Sequence, residues 1–163
     1  MAGSGFLGLF GEGGLAANDS TAKNTLGSLV TSNEGNTYRY VKIAAASACA
    51  TTDGSIVQLS SASESAWEVT PDVTGNLGAA ATDKVVGVAQ SAIDTGNYGW
   101  VLVSGVGEVR TDNGVSAADY LVGHGDHEAD TMADGEEEQV FAFALEDDTG
   151  TEPHKALSYV FCL

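Results

Sequence analysis

Residues 37–163 alternate between short apolar or β-branched segments and turns rich in Gly, Asp and Asn. Segments of this kind, four to eight residues long and bounded by turn residues, are typical of β-strands. The pattern predicts strands at 37–43, 54–59, 66–70, 84–93, 98–104, 105–111, 139–145 and 156–163.

Two of these segments carry further information about burial. The sequence VVGVA at 85–89 is almost continuously apolar, as in a strand buried on both faces. In segment 105–111, Val106, Glu108 and Arg110 alternate with Val109, which places the first three on one face and Val109 on the other. The turn sequences DG at 53–54 and DNG at 112–114 separate neighbouring strands.

The spacing of these strands predicts the fold class. They recur about every ten residues, no 12-residue window has a helical period, and no repeat of 20–50 residues is present. We therefore expect an all-β domain, either a small barrel or a sandwich. Residues 116–120 are predicted as one short helical turn, or as a loop that carries Tyr120 and Leu121 into the core.

Residues 1–36 form a separate, glycine-rich region with no strand period. They nevertheless carry large apolar side chains: Phe6, Leu7, Leu9, Phe10 and Leu15. A flexible tail normally lacks such residues. We predict an extended arm over 1–36 that orders on a partner surface, followed by a single β domain at 37–163. A disordered tail, or an irregular segment packed on its own domain, are the alternatives.

Charge excludes several partner classes. The 163 residues contain 23 acidic and six basic side chains, a net charge of −17. A surface this negative disfavours nucleic acid and anionic membranes. No apolar run approaches the ~20 residues of a membrane-spanning helix. Cys49 and Cys162 define no disulfide framework.

The densest polar segment, 124–138, is the strongest candidate for metal chemistry. His124, Asp126 and His127 lie close together, and residues 126–138 hold seven carboxylates. Zn²⁺ or Ca²⁺ could use such ligands. No helix places the histidines on one face, and the spacing is not that of an EF-hand loop, so a solvated acidic hairpin loop is favoured. The chain has neither a GxSxG elbow nor a phosphate-binding loop. We expect no enzyme activity, no cofactor and no metal.

The six bases are scattered along the sequence. Arg39, Lys42 and Arg110 fall on predicted strands. We expect them to pair with carboxylates inside the fold. The alternative is a negatively charged patch on a partner.

The strand sequences resemble those of a known protein class. YRYVK at 38–42 is followed by VVGVA at 85–89, GNYGWVLV at 96–103 and GVGEV at 105–109. This order, over about residues 37–123, resembles decoration, or cement, proteins of tailed bacteriophages. The resemblance implies a compact β-barrel or β-tulip domain, commonly trimeric, that has no catalytic residues and docks on the outer capsid surface.

Under this hypothesis the partners are the major capsid protein and further copies of the chain, as a homotrimer. Phe6, Leu7, Leu9, Phe10 and Leu15 would contact the capsid. Tyr98, Trp100 and Leu102 would form the domain core or the trimer seam. The alternatives are a glycan- or receptor-binding β module of a tail, fibre or cell surface, and a metal-dependent enzyme built on His124, Asp126 and His127.

Overall fold

The computed structural model describes residues 14–45, 47, 50–60, 67–71, 84–112, 114–125, 127–134, 137–148, 150–151 and 153–162. These contain ten β-strands and two short 3-10 helices, Gly14–Ala16 and Glu137–Gln139. The strands are β1 (Leu29–Thr31), β2 (Thr37–Ile43), β3 (Ile56–Leu59), β4 (Glu68–Thr70), β5 (Val85–Ala89), β6 (Tyr98–Arg110), β7 (Tyr120–His124), β8 (Glu128–Thr131), β9 (Ala142–Ala144) and β10 (Lys155–Phe161). The all-β prediction is confirmed.

Five strands close into a barrel in the order β2-β4-β3-β5-β6, and β6 pairs with β2 to complete the ring. The β2–β4 pairing is parallel and the others are antiparallel. β1 pairs with the first residues of β2, outside the ring. Closure removes exposed strand edges from this part of the sheet.

β6 is long enough to belong to two parts of the molecule. Its first half pairs with β2 and β5, and residues 104–110 pair with β10. The sheet continues through β9 and β7 to β8, where Ala129 bridges Thr111 just beyond the end of β6. We call residues 104–110 of β6 together with β7, β8, β9 and β10 the second half of the molecule. Its strands curl back, so that β8 lies beside the end of β6.

A bulge separates the two parts of β6. Thr37 pairs with Ser104 but the next residue, Tyr38, pairs with Leu102, so Val103 is an extra residue. Gly105 follows with φ of 120°, a value that side-chain-bearing residues rarely adopt. The Asn36 side chain fixes this bend, because its oxygen accepts from the Val106 amide and its nitrogen donates to the Val106 carbonyl, both at 2.9 Å. Bulges of this kind bend a strand and increase its twist.

The core of the barrel combines aromatic and aliphatic side chains, and the core of the second half includes several alanines. Trp100 and Tyr40 pack with ring centroids 5.0 Å apart, and every residue of β5 is buried. The inward residues of the second half include Ala129, Ala142, Ala144 and Ala156.

Several predicted strands are confirmed, with shifted boundaries. Residues 37–43 form β2, and β3, β4, β5, β9 and β10 fall within their predicted segments, apart from Lys155 at the start of β10. The segments 98–104 and 105–111 are one continuous strand. The prediction that Tyr120 enters the core is wrong: Leu121 is buried, but the Tyr120 side chain is 54 % exposed because it points to the other face of β7.

Residues 14–36, the described part of the predicted arm, lie against the barrel. Ala17 is 2 % exposed, Asp19 bridges Tyr98, and Leu29–Thr31 pairs with β2. Leu15 packs against the core, and its carbonyl accepts a hydrogen bond from Ser91. We therefore assign residues 14–36 to the β domain. Residues 1–13 lie outside the described residues.

Candidate interaction surface

An exposed apolar row crosses four strands on the outer side of the second half. Tyr159 on β10 is the direct partner of Val106 on β6 and of Phe143 on β9, and Phe143 also faces Tyr120 on β7. Directly opposed residues share one face of a sheet. The row spans three inter-strand gaps, or about 14 Å.

The side chains of this row are well exposed for apolar groups. The exposed fractions are 54 % for Tyr120, 40 % for Val106 and 39 % for Tyr159. The Phe143 ring stacks on Tyr159 at a centroid distance of 5.6 Å and lies 6.4 Å from Phe161. Leu145, 43 % exposed, lies directly after the end of β9. We call Val106, Tyr120, Phe143, Leu145, Tyr159 and Phe161 the aromatic face.

Charged groups flank the aromatic face. Two residues along β6 from Val106, Glu108 accepts from the Lys155 ammonium group at 3.0 Å, which also contacts Asp53 at 2.7 Å. Farther along β6, Arg110 donates to Glu128 of β8 at 2.9 Å. This network holds two cations and three carboxylates, so it remains negative.

Of the three residues predicted for the domain core or the trimer seam, two are core residues. Trp100 is 1 % exposed and Leu102 is fully buried, so neither side chain is available to another copy. Tyr98 is partly buried and packs against the same core. These three side chains hold the barrel together.

The predicted arm contacts divide between two environments. Leu15 is packed on its own barrel, which removes it from the residues available to a partner. Phe6, Leu7, Leu9 and Phe10 lie outside the described residues.

The acidic segment contains more regular structure than its composition predicts. β7 and β8 form an antiparallel hairpin in which His124 faces Glu128, and His127 lies in the connecting turn with φ of 62°. The His127 carbonyl accepts from the amide of Ile56, which fastens the turn to β3. Asp126 lies outside the described residues. In the part of the chain that the structure describes, no group of three His, Cys, Asp or Glu side chains is placed to hold a metal.

The strand bases behave largely as predicted. Lys42 pairs with Glu68 at 2.8 Å and Arg110 pairs with Glu128, so their expected pairing within the fold is confirmed. Arg39 differs: its guanidinium lies 3.9 Å from the centroid of the Trp67 ring. Burial lowers the pKa of Arg39 from its ordinary value.

A small pocket opens beside the aromatic face. It has a volume of about 220 Å³ and is lined by Phe141, Phe161 and Cys162 together with Val85 and Lys84. Burial raises the pKa of the Cys162 thiol to about 12, so it is a neutral apolar group here and not a nucleophile.

Sequence reasoning missed the aromatic face, although part of its signal was present. Phe143 lies between two alanines and Tyr159 between Ser158 and Val160, which is the alternation of a two-faced strand. Alternation does not show which of the two faces is exposed. Tyr120 lies in a segment for which the pattern predicts no strand.

Comparisons with known proteins give limited information. No protein-family model matches the chain, and neither does any curated protein. Among the described residues, no helix is both long and apolar enough to cross a bilayer. A solved structure, the head fiber gp8.5 N base of bacteriophage phi29, aligns with 76 % of this chain and 92 % of that chain, at 14 % identity and a TM-score of 0.49.

Proposed function

We propose that this chain is a structural virion protein that docks on the outer surface of a phage capsid and stabilises it by bridging neighbouring major capsid subunits. The observation that carries the proposal is the aromatic face, an apolar row on the outside of an acidic β domain. Aromatic side chains are enriched at protein interfaces and supply much of their binding energy.

The N-terminal residues supply a second contact in this proposal. The chain enters the barrel at Gly14–Ala16, and Phe6, Leu7, Leu9 and Phe10 precede that point. We assign these four side chains to the capsid contact. If three copies act as a homotrimer, the second and third contacts form at a high effective concentration. The overall affinity can then exceed that of a single contact by factors of about 10²–10⁴.

The charge of the molecule is consistent with an external position. A net charge of −17 repels packaged nucleic acid and keeps particles apart in solution. A protein that clamps neighbouring subunits needs neither a cofactor nor a catalytic group. Its effect on the shell is one of mass action, because binding only to the closed arrangement stabilises that arrangement.

The first test is binding to expanded heads of the virus that encodes this chain, prepared without it. Full-length protein is compared with a deletion of residues 2–13, and bound copies are counted by sedimentation and gel densitometry. The deletion stops at residue 13 because Ala17 and Asp19 belong to the barrel. A length-preserving control replaces Phe6, Leu7, Leu9 and Phe10 with Ser.

We expect saturable binding at a multiple of three copies per facet, and loss of binding in both N-terminal variants. If both N-terminal variants bind like the full-length protein, the capsid role stands, but the N-terminal residues do not make the capsid contact. Absence of binding by the full-length protein overturns the proposed function.

A glycan- or receptor-binding module is the second candidate. The exposed rings of Tyr120 and Tyr159 favour it, because flat aromatic rings can stack on sugars. In that case the protein binds host cell envelopes and not heads, and removal of residues 2–13 leaves the binding unchanged.

A further inference from the structure

We infer that the aromatic face docks on a protein surface that is apolar at its centre and carries Lys and Arg side chains at its margin. The inference rests on the proposed function, in which that surface belongs to the capsid.

The centre of the contact follows from the row itself. Val106, Tyr159, Phe143 and Tyr120 are consecutive cross-strand neighbours and lie on one face. Their strands are held from behind by the buried alanines of the second half, so the rings project from a fixed support. Rigid, exposed aromatic groups are the usual centre of a protein interface.

Three carboxylates lie beside this centre, on the side toward which β6 runs from Val106 to Arg110. Glu108 is on β6, in register with Leu157 and two residues from Val106. Glu146 directly follows Leu145, two residues beyond the end of β9. Asp134 lies just beyond Met132, whose amide donates to the Tyr120 carbonyl at 2.8 Å. All three residues are exposed. Glu108 is already paired with Lys155, so Asp134 and Glu146 are the carboxylates to vary.

The negative charge of this margin distinguishes between possible partners for the aromatic face. A second copy of the chain would bring a second acidic margin against the first, and each copy carries −17. Like charges opposed across an interface are costly. A basic margin on the partner instead pairs with these carboxylates and speeds association.

The inference has a direct consequence for salt dependence. Added salt screens the attraction between an acidic and a basic margin, so capsid binding weakens as NaCl rises. The same salt relieves repulsion within this chain. Binding and folding stability therefore respond to NaCl in opposite directions.

The experiment measures binding to heads lacking this protein between 0.05 and 0.5 M NaCl (on the order of a tenfold range in ionic strength). The face variant is Tyr120→Thr with Tyr159→Thr, since Thr suits an exposed strand. The margin variant is Asp134→Asn with Glu146→Gln. Melting curves first establish that each variant is folded.

Two controls match these changes. Leu29→Thr removes an equally exposed apolar side chain from β1. Ala92→Lys with Thr95→Lys shifts the net charge by the same two units as the margin variant. Both residues are exposed and lie in the segment between β5 and β6, and the first residue of β6 is about 26 Å along the strand from Val106.

We expect the face variant to raise Kd by roughly tenfold or more, and the margin variant to raise it by about twofold to tenfold while flattening its dependence on NaCl. The controls stay within about twofold of wild type. A face variant that binds like wild type overturns the inference but leaves the proposed function standing. A margin variant that binds equally well or better overturns the basic partner margin. Loss of self-association in the face variant, seen by sedimentation, identifies a second copy as the occupant instead.

Discussion

Trp100 fills the centre of the barrel, where its ring packs against Tyr40 and its side chain is 1 % exposed. Replacing it with Ala removes most of these contacts and leaves a cavity that β2 and β5 cannot close. We expect Trp100→Ala to lower the free energy of unfolding by about 3–5 kcal/mol, measured by guanidinium denaturation. Tyr120→Ala, which removes an exposed ring, is the control. A loss of less than about 1.5 kcal/mol for Trp100→Ala would contradict this description of the core.

Cys162 has a buried thiol at the end of the chain's last strand. Because its pKa is raised to about 12, almost no thiolate forms at pH 8. We expect native protein to resist alkylation of Cys162 by iodoacetamide at pH 8, while protein unfolded in guanidinium is alkylated fully. Peptide mapping by mass spectrometry distinguishes Cys162 from Cys49. Rapid alkylation of Cys162 in the native state would contradict its burial.

Asp148 holds together the loops around residues 114 and 150. Its carboxylate accepts from the amides of Gly114 at 2.8 Å and Gly150 at 2.7 Å. These two hydrogen bonds, with a smaller contribution from His154, lower the pKa of Asp148. A depressed native pKa contributes stability above the unfolded value of about 3.9, and that stability is lost as pH falls through the native pKa.

Asp148→Ala is therefore expected to melt at a lower temperature than wild type at pH 7. The difference should narrow below about pH 4, as the wild-type carboxyl becomes protonated. Melting curves from pH 7 to pH 2.5 measure it. A difference that is independent of pH would mean that the lost contacts do not depend on the charge of Asp148.

At the scale of elements, the bend in β6 depends on Gly105. Both Gly105 and Gly114 have positive φ, of 120° and 103°, but a Cβ at Gly105 would meet the Asn36 side chain, whereas none of the described atoms lies within 4 Å of one at Gly114. We expect Gly105→Ala to cost about 1–3 kcal/mol, and more than Gly114→Ala. Urea denaturation of the two variants measures the difference. Equal costs would show that the loss at Gly105 comes only from its positive φ and that the contact with Asn36 adds nothing to it.

The strands that sequence could predict are those with a strong local signal. β2 and β5 are rich in β-branched and aromatic residues. β7 and β8 lack such a local signal and depend on pairing with other strands. β8 is the sequence EADT, with one buried residue, and it forms because β7 and the end of β6 provide partners. Pairing between distant segments leaves little trace in local composition.

The candidate surface was predictable only in part for a related reason. Alternation in 139–145 and 156–163 indicates two-faced strands, but it does not show which face is outside. That depends on the curl of the second half, in which small alanines turn inward and Phe143 and Tyr159 turn outward. The predicted boundary between arm and β domain near residue 36 has a similar explanation. Residues 14–36 have weak strand signals, and they are held on the barrel by contacts with β2 and β6.

For the whole molecule, the excess of carboxylates makes folding sensitive to ionic strength. Four of the six bases are engaged with carboxylates or with Trp67, which leaves most of the 23 acids uncompensated. Their mutual repulsion opposes the compact state and is screened as the Debye length shortens to a few ångströms. We expect the melting temperature to rise with NaCl from low salt to ~0.5 M. A melting temperature that is flat or falls over this range would contradict the argument.

The continuity of β6 has a mechanical consequence. Seven residue pairs join β6 to β10 beside the aromatic face, and six join its first half to β2 in the barrel. A tension applied along this strand loads each ladder in shear, so its hydrogen bonds must break together. A tension applied across the strand opens the same bonds one at a time. The molecule is therefore stiff along β6 and weak across it, and a clamp on an expanding shell would resist best with β6 aligned to the direction of stretch.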